Sequence, residues 1–260
     1  MKIILVFDID GVVRDVAGSY RRALADTVEH FTHKAYRPTP EDIDRLKSEG
    51  IWNNDWEGSQ ELVYRYFESQ RQSRDSIALD YNQLVAFFQS RYRGTHPENW
   101  DGYITTEPLL LQPSYLEQLT TDKIAWGFFS GATKGSAKYV LEKRLGLKNP
   151  VLVAMEDAPG KPNPTGLFAT VNQLDGDNEN TPVIYVGDTV ADMYTIAKAK
   201  EEQPQRLWIG VGVLPPHVQS NSSQSKAYAA KLKEAGAVEV LANVEQLNRA
   251  KVEEIMLKIS

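Results

Sequence analysis

Hydrophobic and polar positions follow two different patterns along the chain. Short, unbroken apolar runs rich in β-branched and aromatic side chains occupy 3–7 (Ile-Ile-Leu-Val-Phe), Ile124–Phe129, Val151–Met155, Val183–Val186 and Leu207–Val213. Runs without alternation predict strands buried on both faces of a parallel sheet. Helical periodicity over Lys134–Leu145, Pro164–Leu174, Ala191–Lys200 and Ser225–Ala235 predicts the connecting helices, with Gly146 and Gly236 as stops. Strands alternating with helices predict an α/β fold, a Rossmann-like parallel sheet covered on both faces. Pro215-Pro216-His217 and the Ser/Asn-rich stretch to Ser225 predict an exposed loop.

Residues 16–106 break this alternation. Tyr20, Leu24, Val28 and Phe31 recur at helical spacing, as do Leu62, Val63, Tyr66 and Phe67, and then Leu84, Val85, Phe88 and Tyr92. Thr39-Pro40-Glu41-Asp42 predicts a capped helix start. The expected organisation is therefore an α/β core formed by 1–15 and 107–260, interrupted by an all-helical insert at 16–106. Thr105–Pro113 carries the expected return hinge.

Composition narrows the function classes. A net charge of −6 disfavours a nucleic-acid or anionic-membrane partner, because both require a broad positive face. A small anionic substrate needs only a local cluster of cations and amides. The absence of cysteine excludes disulfides, thiolate catalysis and Cys-ligated metals. The apolar run before Asp8 is only about five residues, too short for a signal core or a membrane span, so a cytoplasmic location is the expectation.

Four segments at predicted strand ends carry candidate chemistry, since open α/β sheets place their ligand crevice there. Asp8-Ile9-Asp10-Gly11 offers two carboxylates and a glycine turn, suited to a nucleophile beside a general acid/base and equally to a solvated corner. Ser130-Gly131 ends the second run before a helix, where a hydroxyl and amides can meet an anion or simply cap. Lys161, between Gly160 and Pro162, is either a fixed cation or an exposed loop lysine. Gly187-Asp188 with Asp192 places two acids at i,i+4, for a metal or for a helix start.

If Asp8, Asp10 and Asp188 converge, a cation must join them. Two negative charges about 4 Å apart repel by about 4 kcal/mol at an effective dielectric near 20. Oxygen ligands without His or Cys suit Mg²⁺ rather than zinc.

The ordered set DxDG, hydroxyl-Gly, Lys-Pro and GDxxxD resembles the four motifs of the haloacid dehalogenase superfamily. The helical insert after the first motif is similar to subfamily IA with a C1-type cap, of the phosphoglycolate-phosphatase-like kind. The resemblance implies that Asp8 is the nucleophile and a metal ligand, and that Asp10 protonates the leaving group, activates water and lends its carbonyl to the metal. It further implies that Ser130, the Gly131 amide and Lys161 bind the phosphoryl group, that Asp188 ligates Mg²⁺ and that Asp192 supports it. The expected activity is Mg²⁺-dependent hydrolysis of a small phosphorylated metabolite. A phosphomutase and a non-catalytic binding protein are the alternatives. A dehalogenase would need neither the metal nor the second acid, and no cap lysine suggests a phosphonatase.

Gly11-Val12-Val13-Arg14-Asp15 departs from the usual continuation of the first motif, and the insert carries a further segment of interest. Arg14 stands where the chain enters the insert, and is expected to reach an anionic part of the substrate or to form a surface ion pair. Asn53, Asn54, Asp55 and Trp56 form a polar-aromatic segment between two helices, expected to take part in substrate selection or to serve as a packed junction. His30, His33, His96 and His217 show no ligand spacing.

Overall fold

The computed structural model describes residues 2–52, 54–96, 99–176 and 180–259. Its sheet is built from β1 (Ile4–Phe7), β2 (Ala125–Phe129), β3 (Leu152–Val153), β4 (Val183–Gly187), β5 (Trp208–Val213) and β6 (Ala237–Leu241). All pairings are parallel and the spatial order is β3-β2-β1-β4-β5-β6. The chain thus fills one side of β1 and then the other, which makes the ends of β1 and β4 the point where connections diverge.

The apolar runs are explained by the two cores that the sheet separates. Leu5 and Phe7 of β1 pack into one cluster with Leu116, Phe128, Val140 and Val186. Ile4 and Val6 pack into the other with Phe129, Leu167, Tyr185 and Trp208. A strand serving two cores cannot alternate polar and apolar residues.

Register decides what meets at the strand ends. Phe7 lies opposite Phe128 on one side and Val186 on the other, and the Asp8 N–H donates to Val186 O at 2.8 Å. Asp8 is thereby held at the centre of the carboxyl edge, with residues 129–130 and 187–188 at neighbouring tips.

Several elements differ from the sequence expectation. The run at Val151–Met155 forms only a two-residue edge strand, β3, in register with β2 at Leu152 and Val153. The helix from Lys134 is α-helical to Lys138 and continues as a π-turn over Tyr139–Arg144. The expected loop after Pro215 contains a short helix, Pro216–Gln219, and a helix starting at Ser222, where Asn221 accepts the N–H groups of Ser223 and Gln224. Helices at Pro113–Thr121 and Arg249–Ile259, and strand β6, were not foreseen.

The contacts divide into two units, Met1–Asp15 with Leu109–Ser260, and Val16–Pro108. The second unit contains helices Tyr20–Phe31, Pro40–Lys47, Asp55–Ser69 and Tyr81–Tyr92. Thr39 and Asp42 form a reciprocal cap at the second of these, and Tyr20 stacks on Tyr92 at 4.0 Å between ring centroids. Among the described residues no helix is long and apolar enough to cross a membrane.

The central strand sets the stability of the first unit. Leu5 is fully buried in β1, and Leu5→Ala is expected to cost about 2–5 kcal/mol, read as a lower midpoint in chemical denaturation.

Candidate active site

Beyond β1, β2 and β4 the chain turns at residues that bring charge to the carboxyl edge. Gly11 has φ +75°, and a β-carbon there would lie 2.0 Å from Asp188 Oδ2. Glycine is therefore required both by the turn and by the approach of Asp188. A β-carbon on Gly187 would fall 2.3 Å from Asp192, so the glycine ending β4 makes room for that carboxylate. The helix that follows begins at Val190, with Thr189 as its cap and Asp188 lying just before it.

The Lys161 ammonium sits between two of these acids. Its Nζ is 2.8 Å from Asp8 Oδ1 and 2.7 Å from Asp192 Oδ1, and the lysine side chain is 2% exposed. Asp8 Oδ1 also accepts the Ile9 N–H at 2.8 Å. Asp192 accepts three further bonds, from the Tyr185 hydroxyl at 2.8 Å and from the Thr189 hydroxyl and N–H at 2.7 and 3.0 Å. Asp192 is thus a positioning group for Lys161 that also closes the helix cap.

Ligand-capable oxygens of Asp8, Asp188 and Asp192 lie within 4.8 Å of one another. Crowding of buried negative charge perturbs their protonation. Burial pushes the Asp8 carboxyl up to about 7; Lys161 opposes this, and repulsion from Asp192 and Asp10 adds to it. Asp188 is raised well above the carboxylate range by burial and by Asp192 and Asp8. Burial acts on Asp192 in the same sense, but Lys161 and the Thr189 hydrogen bonds outweigh it and hold that carboxyl below its ordinary value. Lys161 loses more from burial than from any other influence, yet Asp192 and Asp8 together hold its pKa above the ordinary value.

An all-oxygen donor set whose members resist ionising together fits a hard divalent cation such as Mg²⁺. Asp8, Asp188 and Asp192 are the carboxylates grouped closely enough to hold it, and the Asp192 oxygens also accept from Lys161, Tyr185 and Thr189.

The remaining expected residues are placed as follows. Ser130 is buried at the tip of β2, where its N–H donates to Val153 O and its hydroxyl oxygen accepts the Ala132 N–H at 3.1 Å; Gly131 lies between them. Asp10 accepts a bond from Arg14 Nε at 2.6 Å. Arg14 has no exposed side-chain surface, so the guanidinium expected to meet a ligand or the surface is buried on Asp10 instead.

In the second unit, Asn54 caps the helix from Asp55 by accepting the Trp56 N–H, and Asp55 pairs with Lys47 at 2.7 Å. Asn53 lies outside the described residues. Tyr185 and Thr189 belong to the site and were not foreseen. The only signal was that a tyrosine inside a buried strand must find a partner for its hydroxyl.

A family model described as haloacid dehalogenase-like hydrolase matches residues 4–200, well over half of the chain. A protein of Phytophthora nicotianae named imidazoleglycerol-phosphate dehydratase is 31% identical over 242 residues, which cover 91% of this chain and 49% of that protein. The chain therefore spans about half the length of that curated relative. Among solved structures, a phosphonoacetaldehyde hydrolase-like protein from Oleispira antarctica gives a TM-score of 0.71 at 18% identity, covering 99% of this chain and 93% of that one. Phosphatase Tt82 from Thermococcus thioreducens gives 0.60 at 22% identity, with 88% and 99% covered. A β-phosphoglucomutase from Clostridium difficile gives 0.59 at 16% identity, with 100% and 99% covered. At these identities the structures share the fold.

The raised Asp8 carboxyl fixes the sign of a pH effect. A group titrating higher in the folded chain than its ordinary 3.8 favours folding at low pH, and that contribution disappears as pH rises through about 7. In the presence of chelator, thermal stability of the wild type is expected to fall from about pH 5 to about pH 8 more steeply than that of Asp8→Asn. Mg²⁺ should restore the loss chiefly above about pH 7, as differential scanning calorimetry would read, because the ligands bind it deprotonated.

Proposed function

The chain belongs to the haloacid dehalogenase-like hydrolases, and on that premise we propose that it is a Mg²⁺-dependent phosphatase that hydrolyses a small phosphomonoester through an aspartyl-phosphate on Asp8. The observation that carries this reading is the buried Asp8–Lys161–Asp192 bridge beside Asp188, at the end of β1.

Each group has a role in phosphoryl transfer. Asp8 bonds to phosphorus, Asp10 gives a proton to the leaving oxygen, and the ester bond breaks. Asp10 then takes a proton from water, the water oxygen bonds to phosphorus, and the bond to Asp8 breaks. Lys161 neutralises the transferring group and orients Asp8, while Ser130 and the Gly131 amide receive its oxygens. Asp8, the Asp10 carbonyl and Asp188 would hold Mg²⁺, with Asp192 supporting the site through Lys161. Bound there, the metal supplies positive charge against the carboxylates and the phosphate.

The presence of Asp10, Asp188 and Asp192 supports phosphate chemistry over dehalogenation, which would need neither the second acid nor the metal. The name of the Phytophthora relative concerns an imidazole-bearing phosphomonoester, and this chain matches about half of that protein. Dehydration is not carried over with the name. Imidazole-bearing alkyl phosphates therefore head the substrate panel, followed by phosphoglycolate, sugar phosphates and nucleotides.

Inorganic phosphate release is expected from p-nitrophenyl phosphate and from at least one member of the panel, only when Mg²⁺ is present. Asp8→Asn should abolish it. Lys161→Met should lower kcat by about 10²–10³-fold, the usual cost of removing one charge-stabilising group. Turnover that persists in excess chelator, or in Asp8→Asn, would refute the reading. An isomerised product in place of phosphate would assign the chain to mutase chemistry.

A further inference from the structure

The pairing of Arg14 with Asp10 is not required by any role given above. Arg14 Nε donates to Asp10 Oδ1 at 2.6 Å and Nη2 lies 2.5 Å from the same oxygen. The guanidinium is fully buried, while the Asp10 side chain retains 27% exposure. A buried guanidinium is costly unless its charge is paired, and removing one partner of such a pair strands the other.

The backbone between the two residues is fixed. Ile9 O accepts the N–H groups of Val13 and Arg14 at 2.8 and 3.2 Å, and the Gly11 N–H donates to Arg14 O at 2.9 Å. The Leu110 N–H donates to Val13 O at 2.8 Å, tying the returning chain to the same turn. Rotation of an aspartate carboxylate about its last bond is otherwise broad and nearly two-fold. Both contacts fall on Oδ1, which restricts that freedom and leaves Oδ2 outside the pairing, on a side chain that retains 27% exposure.

We propose that Arg14 is a positioning residue for Asp10: it fixes Oδ1 so that Oδ2 is presented to the leaving oxygen and then to the attacking water. This rests on the phosphatase reading above and specifies how one group of that site is held.

The two half-reactions need Asp10 unequally when the leaving group is p-nitrophenolate. In the first, an Asp8 oxygen bonds to phosphorus and the bond to p-nitrophenolate breaks, and the stabilised anion departs without a proton. In the second, Asp10, present as the carboxylate because it gave no proton, takes one from water as the water oxygen bonds to phosphorus, and later passes it to solvent. The Asp8–phosphorus bond then breaks, releasing phosphate and restoring the carboxylate. A poorly held Asp10 slows only the second half with this substrate, so the aspartyl-phosphate accumulates.

Stopped-flow assays of p-nitrophenyl phosphate with Mg²⁺ separate the halves. Arg14→Met is expected to release p-nitrophenol in a burst stoichiometric with folded protein, at a rate within about twofold of the wild-type first turnover. A steady rate reduced about 10–100-fold should follow, toward the lower end of what general acid–base groups contribute. An alkyl phosphate, which needs the proton in its first step, should show the loss without a burst. Arg14→Lys should fall between, since an ammonium supplies the charge without the fork of donors.

Equal slowing of burst and steady state in Arg14→Met would reduce Arg14 to a structural role and overturn the proposal. So would no change in either phase, or faster turnover, which would mean that Arg14 restrains Asp10. If circular dichroism shows Arg14→Met unfolded, the same comparison in Arg14→Lys decides: slowing of the steady state alone supports the proposal and any other result overturns it. Failure of the phosphatase reading itself is distinguishable. It appears as no Mg²⁺-dependent p-nitrophenol release from the wild type, or as release by Asp8→Asn, and either result removes both claims.

Discussion

One buried ammonium group among carboxylates is the contact on which the candidate site depends. Lys161 lies buried between Asp8 and Asp192, with Asp188 close by. With all three acids ionised, the site would hold more negative charge than its one lysine can cancel. The raised Asp8 and Asp188 carboxyls are the energetic expression of that imbalance. A divalent cation and the phosphoryl group would relieve it together, so the arrangement that burdens folding is also the one suited to binding.

The fold supplies that arrangement through register more than through any single motif. Phe7, Phe128 and Val186 are level across three parallel strands, which sets Asp8, Ser130 and Asp188 at adjacent tips. Gly11 and Gly187 are fixed in turn by Asp188 and Asp192, whose side chains fill the space a β-carbon would need. Asp192 reaches Lys161 because the same carboxylate caps the helix from Val190, so a local folding signal and a site contact are one structure. Proton transfer, as proposed, depends on a second pair, buried Arg14 with partly exposed Asp10, built into the turn after β1.

Much of this was legible in the residues. Five strands followed from unbroken apolar runs, because a strand between two cores shows no polar face. β6 was hidden because, as an edge strand, it is only partly buried and its apolar run is broken, with Glu239 and Val240 partly exposed and Val238 exposed. The acids at strand ends stood out by position and spacing, whereas Tyr185 read as one more apolar residue within Val-Ile-Tyr-Val. Its bond to Asp192 spans seven residues and crosses from strand to helix, which no periodicity reveals. Arg14 was noticed as unusual, but its burial depends on how tightly the chain turns from Ile9 to Arg14, and that is a property of the folded backbone.

The proposed mechanism requires an Asp8 oxygen to form a covalent bond to phosphorus. It is tested most directly by mixing the protein with Mg²⁺ and a phosphomonoester, quenching in acid within one turnover, and mapping the modified peptide by mass spectrometry. A single phosphoryl group is expected on the peptide containing Asp8, sensitive to hydroxylamine as an acyl phosphate must be. Phosphate release with no adduct, or an adduct on any other residue, would contradict it.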